Sequence, residues 1–143
     1  MKNSVLLPEA SASDIQQQDA INLFVVDWEF TQFNHRAYDL GQIIGDLYER
    51  KHFKSLENTI WAIEGFVDGY GGLSDDLAFR TAIHTGVHFL CWYIRRDPRT
   101  PPKGTPEQII GAVRIGVDFV VKGWERDRAW FETSPLASLF RKA

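Results

Sequence analysis

The interpretation of this chain starts from two short stretches, Val25-Val26-Asp27-Trp28-Glu29-Phe30 and Asn34-His35-Arg36-Ala37-Tyr38-Asp39-Leu40-Gly41. In the first, two β-branched residues are followed by an acid, and a second acid comes two positions later. A carboxylate just beyond a buried strand is held firmly at the edge of a cleft, where Mg²⁺ and its phosphates are usually bound. The second stretch leads into a helical pattern that has an acid near its start.

Composition narrows the class of protein. The 143 residues are enough for one domain with one core, and 44% hydrophobic with 13% aromatic residues is typical of a globular chain. The net charge of −3 gives no basic surface for nucleic acid. The single Cys91 excludes an internal disulfide and suits a reducing compartment. The start has no secretory apolar segment, and no apolar run approaches the roughly 20 residues that cross a bilayer. We therefore expect a cytoplasmic protein with no membrane or nucleic-acid partner.

The coarse pattern predicts a mainly α single domain over residues 1–143. Residues 1–30 read as a short β hairpin, since apolar runs at 5–7 and 23–26 flank a polar loop. Residues 37–143 read as four to five helices. The first has a predicted apolar stripe of Leu40, Ile43, Ile44, Leu47 and Tyr48. The others are predicted at about 55–70, 74–95, 105–124 and 135–141, with a proline-rich loop at 97–104.

Two sets of residues have metal-binding chemistry, and each has a structural alternative. Asp27 and Glu29 can bind a cation, but alternate residues of an extended segment point to opposite faces, so a third ligand is needed. The alternative is a pair of solvated acids at a strand end. His84 and His88 have the i, i+4 spacing that places two imidazoles on one ion. The alternative is one packed and one surface histidine.

An aromatic cluster on the third predicted helix has two interpretations. Phe89, Trp92 and Tyr93 lie close to His88 in the sequence. Aromatic rings can enclose a protonated or quaternary amine through cation–π attraction. At helical spacing, however, the same residues also fit ordinary core packing.

The segment 25–41 resembles the metal-binding segment of small-molecule kinases with the protein-kinase fold. These are the aminoglycoside phosphotransferases and the choline and ethanolamine kinases, in which an aliphatic strand leads to Ile-Asp-Trp/Phe-Glu. About ten residues later comes Tyr/Phe-Asp-Leu/Ile at the start of a helix. The stretch from Asn34 to Gly41 looks especially like the choline kinase version. The resemblance implies a C-terminal lobe, with Mg²⁺ and ATP as cofactors and a small-molecule substrate.

The resemblance also implies a role for each matching residue. Asp27 would bind Mg²⁺, as the aspartate of the protein-kinase Asp-Phe-Gly element does, and Glu29 would lie beside the metal or the bound nucleotide. Asn3 would be the second metal ligand, because Asn3-Ser4-Val5-Leu6-Leu7 is similar to the end of the kinase catalytic loop. Asp39 would brace that loop. Phe89 and Trp92 fall near the aromatic residues of the choline kinase amine pocket.

The sequence departs from this family at the catalytic loop. The expected His-x-Asp-x-x-x-x-Asn motif would begin upstream of Met1, and the N-terminal lobe with its phosphate-binding lysine is absent from the 143 residues. Gln42 and Asp46 stand where choline kinases usually have Asn and Glu. We therefore expect a truncated or degenerate phosphotransferase lobe without activity of its own, unless a partner supplies the missing lobe.

Two other functions remain open from the sequence. A lobe without its neighbour exposes apolar surface, which favours a non-catalytic module that self-associates or captures a partner. The cluster of Phe89, Trp92 and Tyr93 would instead suit a binder of small amines.

Overall fold

The computed structural model describes residues 33–91, 97, 99–101 and 104–141. These residues form five α-helices followed by a 3₁₀ turn. The helices are α1 (Arg36–Lys54), α2 (Asn58–Tyr70), α3 (Asp75–Cys91), α4 (Pro106–Glu125) and α5 (Arg128–Glu132), and the turn is Ala137–Phe140. The mainly helical prediction is confirmed. The described ranges contain no strand; the predicted hairpin lies outside them and stays a prediction.

Local sequence signals explain where the helices begin and end. Before α4, the Thr105 hydroxyl accepts a hydrogen bond from the Gln108 amide at 3.2 Å, and the Gln108 side chain accepts one from the Thr105 amide at 3.0 Å. This reciprocal cap satisfies two amides that a helix start leaves unpaired. Ser74 caps α3, since its Oγ accepts a hydrogen bond from the Leu77 amide at 3.3 Å. At the end of α1, Ser55 adopts the left-handed conformation at φ 52°.

Helix α3 lies at the centre of the unit and packs along both α1 and α4. Glycines allow these close approaches. A Cβ on Gly41 would come within 2.5 Å of the His84 Cβ, and one on Gly45 within 2.6 Å of the His88 Cγ. On the other side of α3, a Cβ on Gly86 would come within 2.6 Å of the Gly116 carbonyl oxygen. The three helices are therefore fixed by contacts that a larger residue would prevent.

This packing corrects one prediction for α1. Ile43 is 44% exposed, although the predicted apolar stripe placed it inward. Leu40, Ile44 and Tyr48 are buried as predicted. The buried face of α1 includes Gly41 and Gly45, because α3 packs against these two glycines. Ile43 lies on the opposite side of the helix.

Aromatic residues close the C-terminal end of the core. Phe131 and Phe140 stack with their ring centroids 4.9 Å apart, and Phe79 packs against Phe140 at 4.8 Å. The short helix α5 was not predicted; Asp127 starts it by accepting a hydrogen bond from the Trp130 amide at 3.1 Å. The predicted helix at 135–141 is instead the 3₁₀ turn. All of these elements belong to one compact unit, Asn34–Ala143.

Within the described part of the chain, every helix is too short or too polar to cross a membrane.

Candidate functional site

The part of the kinase-like segment that the structure describes is the start of α1. His35 is the capping residue, and its Nδ1 accepts a hydrogen bond from the Ala37 amide at 3.2 Å. The Asn34 side-chain oxygen accepts from the His35 amide at 2.7 Å, and the His35 carbonyl accepts from the Tyr38 amide at 2.9 Å. These bonds fix the turn by which the chain enters the helix. The acceptor role requires that Nδ1 of His35 carries no proton.

Asp39 lies in the first turn of α1 and is exposed. A negative charge at this place is stabilised by the positive end of the helix dipole. Its neighbours Ala37 and Leu40 are buried, so the helix presents Asp39 on the side away from the core. The bracing role implied by the resemblance would join Asp39 to the segment around Asn3, which lies outside the described residues. That role stays a prediction.

Two residues from other helices contact the start of α1, His84 of α3 and Tyr70 of α2. The ring of Tyr38 meets the ring of His84 edge to face, with centroids 5.5 Å apart. Burial, and then the electrostatic effects of His35 and Arg80, lower the pKa of His84 below its ordinary value. The guanidinium of Arg36 donates a hydrogen bond to the Tyr70 hydroxyl at 3.5 Å. Polar side chains therefore surround the start of α1, and burial favours the neutral form of His84.

His88, one turn further along α3, has a different environment. It is only 5% exposed, and its Nε2 lies 2.9 Å from the Glu49 carboxylate of α1. Its Nδ1 has no hydrogen-bond partner among the described residues. His88 is thus packed, as the structural alternative predicted for one of the two histidines, whereas His84 is half-buried beside Tyr38. Glu49 was not predicted as the partner of His88. The one signal in the sequence is that Gly41 and Gly45 share the i, i+4 spacing of His84 and His88, which fits two helices in close contact.

Phe89 lies in the core and is 3% exposed. Its ring packs against Tyr48 at a centroid distance of 5.5 Å and against His52 at 6.3 Å. These surroundings are those of ordinary core packing. Trp92 and Tyr93 lie outside the described residues, so the amine-pocket role of Phe89 and Trp92 stays a prediction.

The predicted metal ligands Asp27 and Asn3, and the predicted cofactor-binding residue Glu29, also lie outside the described residues. Within the part of the chain that is described, no group of three or more His, Cys, Asp or Glu residues is arranged to hold a metal ion. The pairing of His88 with Glu49 does not assemble such a group. The magnesium-binding role of Asp27 and Asn3 stays a prediction.

Comparison with known proteins points to the same class of enzyme as the segment 25–41. The chain is similar to the phosphotransferase FrzJ from a Cladobotryum species, with 30% identity over 142 residues that cover 99% of this chain. The match covers 35% of FrzJ, so the chain spans about a third of the length of this curated relative. No protein-family profile matches the chain. No solved structure matches it significantly. Nearly the whole chain is thus similar to part of a phosphotransferase.

Proposed function

We propose that this chain is a phosphotransferase lobe that takes part in ATP-dependent phosphorylation of a hydroxyl group on a small molecule. The γ-phosphoryl group would move from ATP to the hydroxyl oxygen, leaving ADP and a phosphate ester. The observation that carries the proposal is the 30% identity to FrzJ, because it extends over 99% of the chain. The similarity therefore includes both the acid-bearing segment 25–30 and the helices that follow it.

The fold supports the proposal where it can be compared with the segment 25–41. A helix starts at Arg36, directly after the capping residue His35, and Asp39 lies in its first turn. This agrees with the position that the resemblance to aminoglycoside phosphotransferases and choline kinases implies for Asp39. The substrate class that follows is an amino sugar or an amino alcohol. Of the two residues proposed for the amine contact, Phe89 has a buried ring, so the proposal relies on Trp92.

The proposed metal site uses Asp27 and Asn3, with Glu29 beside the metal or the nucleotide. Carboxylate and amide oxygens are the hard ligands that Mg²⁺ accepts, so the chemistry of this donor set fits the ion. When bound with ATP, Mg²⁺ neutralises negative charge on the phosphates. The chain's own contribution would be the Asp27 carboxylate and the Asn3 amide that hold the ion.

We expect no phosphoryl transfer by the 143-residue polypeptide on its own. Its sequence contains no His-x-Asp-x-x-x-x-Asn motif and no phosphate-binding lysine in a glycine-rich setting. Positioning and charge stabilisation supply most of the catalysis in this reaction, and both depend on those groups. Incubation with ATP and either choline or an aminoglycoside should give product at the level of the buffer control. Transfer clearly above that level would contradict this expectation.

Whether this chain can serve as part of a larger phosphotransferase can be tested by exchanging it for the matching segment of FrzJ. Residues 1–143 would replace the matching segment of FrzJ, and ATP turnover would be measured on the chimera. We expect Asp27→Asn to abolish the turnover and Asp68→Asn to leave it unchanged, because Asp68 is an exposed acid on α2. A folded chimera whose turnover survives Asp27→Asn would reject the proposed role of Asp27.

A further inference from the structure

Helix α4 carries an apolar stripe that faces away from the rest of the described structure. The side chains concerned are between 42% and 82% exposed. They are Ile110, Val113, Val117, Val121 and Trp124. At about 3.6 residues per turn they fall within an arc of about 80° along the helix. Such a continuous exposed row is more typical of an interaction surface than of scattered surface residues.

The stripe is separate from the face of α4 that builds the core. The buried residues of this helix are Ala112, Gly116, Phe119 and Gly123. Phe119 packs against Tyr48 and Phe131, and Gly116 allows the close approach of α3. Helix α4 is therefore already anchored on one side. The stripe offers a second apolar face about a third of a turn away.

The spacing of the stripe is symmetric about Val117. Ile110 and Trp124 lie seven residues to either side of it, and Val113 and Val121 lie four residues to either side. In an antiparallel pair of identical helices, a residue before the centre faces the residue equally far after it. The row therefore matches a reversed copy of itself, which is the condition for a two-fold, isologous contact.

The charges beside the stripe show the same self-complementarity. Arg114 and Asp118 flank Val117 and form no ion pair with another described residue. In the antiparallel arrangement, Arg114 of one copy lies on the same flank as Asp118 of the other, offset from it by two residues or about 3 Å along the helix axis, and the two-fold axis repeats the pair. The acid Glu125, further along the same flank, is neutralised by Lys122 at 3.2 Å.

We propose that the stripe is the contact surface for a second copy of this chain, formed by antiparallel pairing of the two α4 helices across Val117. One helix face is smaller than the roughly 800 Å² per partner of a standard stable interface, so the dimer is concentration-dependent. The proposal is independent of the phosphotransferase assignment, because it uses none of the residues of the metal site.

Sedimentation equilibrium of the 143-residue protein over a range of concentrations tests the contact. We expect a monomer–dimer equilibrium for the wild type. Val117→Glu should shift it to monomer, since the substitution places two like charges together on the two-fold axis. The matched control is Trp61→Glu on α2, whose side chain is 77% exposed and lies off the stripe; it should leave the equilibrium unchanged. Circular dichroism establishes that each variant is folded.

Charge reversal tests the geometry independently. Arg114→Asp and Asp118→Arg should each weaken dimerisation about tenfold or more, and the double variant should restore it, because both intermolecular pairs are rebuilt with opposite sense. A wild type that stays monomeric up to about 1 mM would overturn the proposal and leave the stripe for a different partner. The proposal also fails if Trp61→Glu dissociates the dimer as Val117→Glu does, or if the double variant dimerises no better than the single variants.

Discussion

Glu49 and His88 make the contact between α1 and α3 at a mostly buried position. His88 is 5% exposed and Glu49 is 19% exposed, and the two side chains meet at 2.9 Å. Nδ1 of His88 has no hydrogen-bond partner among the described residues, so the hydrogen bond between Nε2 and Glu49 is the one that the ring makes there. A buried polar atom that loses its partner has a large free-energy cost, whereas an exposed pair contributes little.

We expect Glu49→Ala to lower the free energy of unfolding by about 1–3 kcal/mol, because it leaves the ring of His88 buried without a hydrogen bond. The control is Asp46→Ala on the same helix, which removes an exposed pair with Arg50 at 3.0 Å and should cost at most about 0.5 kcal/mol. Urea denaturation followed by circular dichroism measures both. If the two variants lost the same free energy of unfolding, the buried pair would contribute no more to stability than the exposed one.

His84 makes stability depend on pH. Burial, and then the electrostatic effects of His35 and Arg80, lower its pKa in the folded protein below the ordinary value of 6.5. Below pH 6.5 the unfolded chain therefore binds more protons at this residue than the folded one, and stability falls as the pH falls. We expect His84→Gln to flatten the curve of unfolding free energy against pH between about pH 6.5 and pH 5. An unchanged slope in the variant would contradict this account.

At the scale of the elements, the close approach of α1 and α3 rests on glycine. A Cβ on Gly41 would lie 2.5 Å from the His84 Cβ and 2.9 Å from the backbone nitrogen of Thr85. The second of these neighbours is backbone and cannot turn away. The helices would have to separate to admit even one methyl group.

We expect Gly41→Ala to destabilise the protein by about 1–3 kcal/mol through this overpacking. Gly65→Ala is the matched control, because a Cβ at Gly65 on α2 would meet nothing within 4 Å. That substitution should stabilise the protein by about 0.5–1 kcal/mol, since alanine loses less conformational freedom in a helix. Thermal and urea unfolding of the two variants give the comparison. A stabilising Gly41→Ala would mean that α1 and α3 are not held at this distance.

The helices themselves were largely predictable, and their contacts were not. Thr105 and Pro106 mark the start of α4 in the sequence, and the structure begins the helix there. The five-residue α5 is too short for a periodic pattern, so only the cap at Asp127 could have indicated it. Ile43 was placed inward because apolar spacing cannot reveal that glycines, rather than large side chains, form the buried face of α1.

At the scale of the whole molecule, the candidate site is divided between two parts of the sequence. Asp39 belongs to the described helices and lies where the kinase-like pattern predicts it, in the first turn of α1. Asp27, Glu29 and Asn3 precede the described residues, so their roles depend on the sequence pattern and on the similarity to FrzJ. Phe89 shows the limit of pattern reasoning, because helical spacing describes a core aromatic and a pocket aromatic equally well.

The metal role of Asp27 is the central claim, and Mn²⁺ binding tests it directly. Mn²⁺ substitutes for Mg²⁺ and can be followed by electron paramagnetic resonance, with and without ATP. We expect the wild-type protein to bind Mn²⁺ with ATP. Loss of a residue that only supports a metal ligand weakens metal binding about 10- to 100-fold, and Asp27→Ala should weaken it more than that, because Asp27 is itself the proposed ligand. Asp68→Ala should bind as the wild type does. Identical titrations for the wild type and Asp27→Ala would contradict the account.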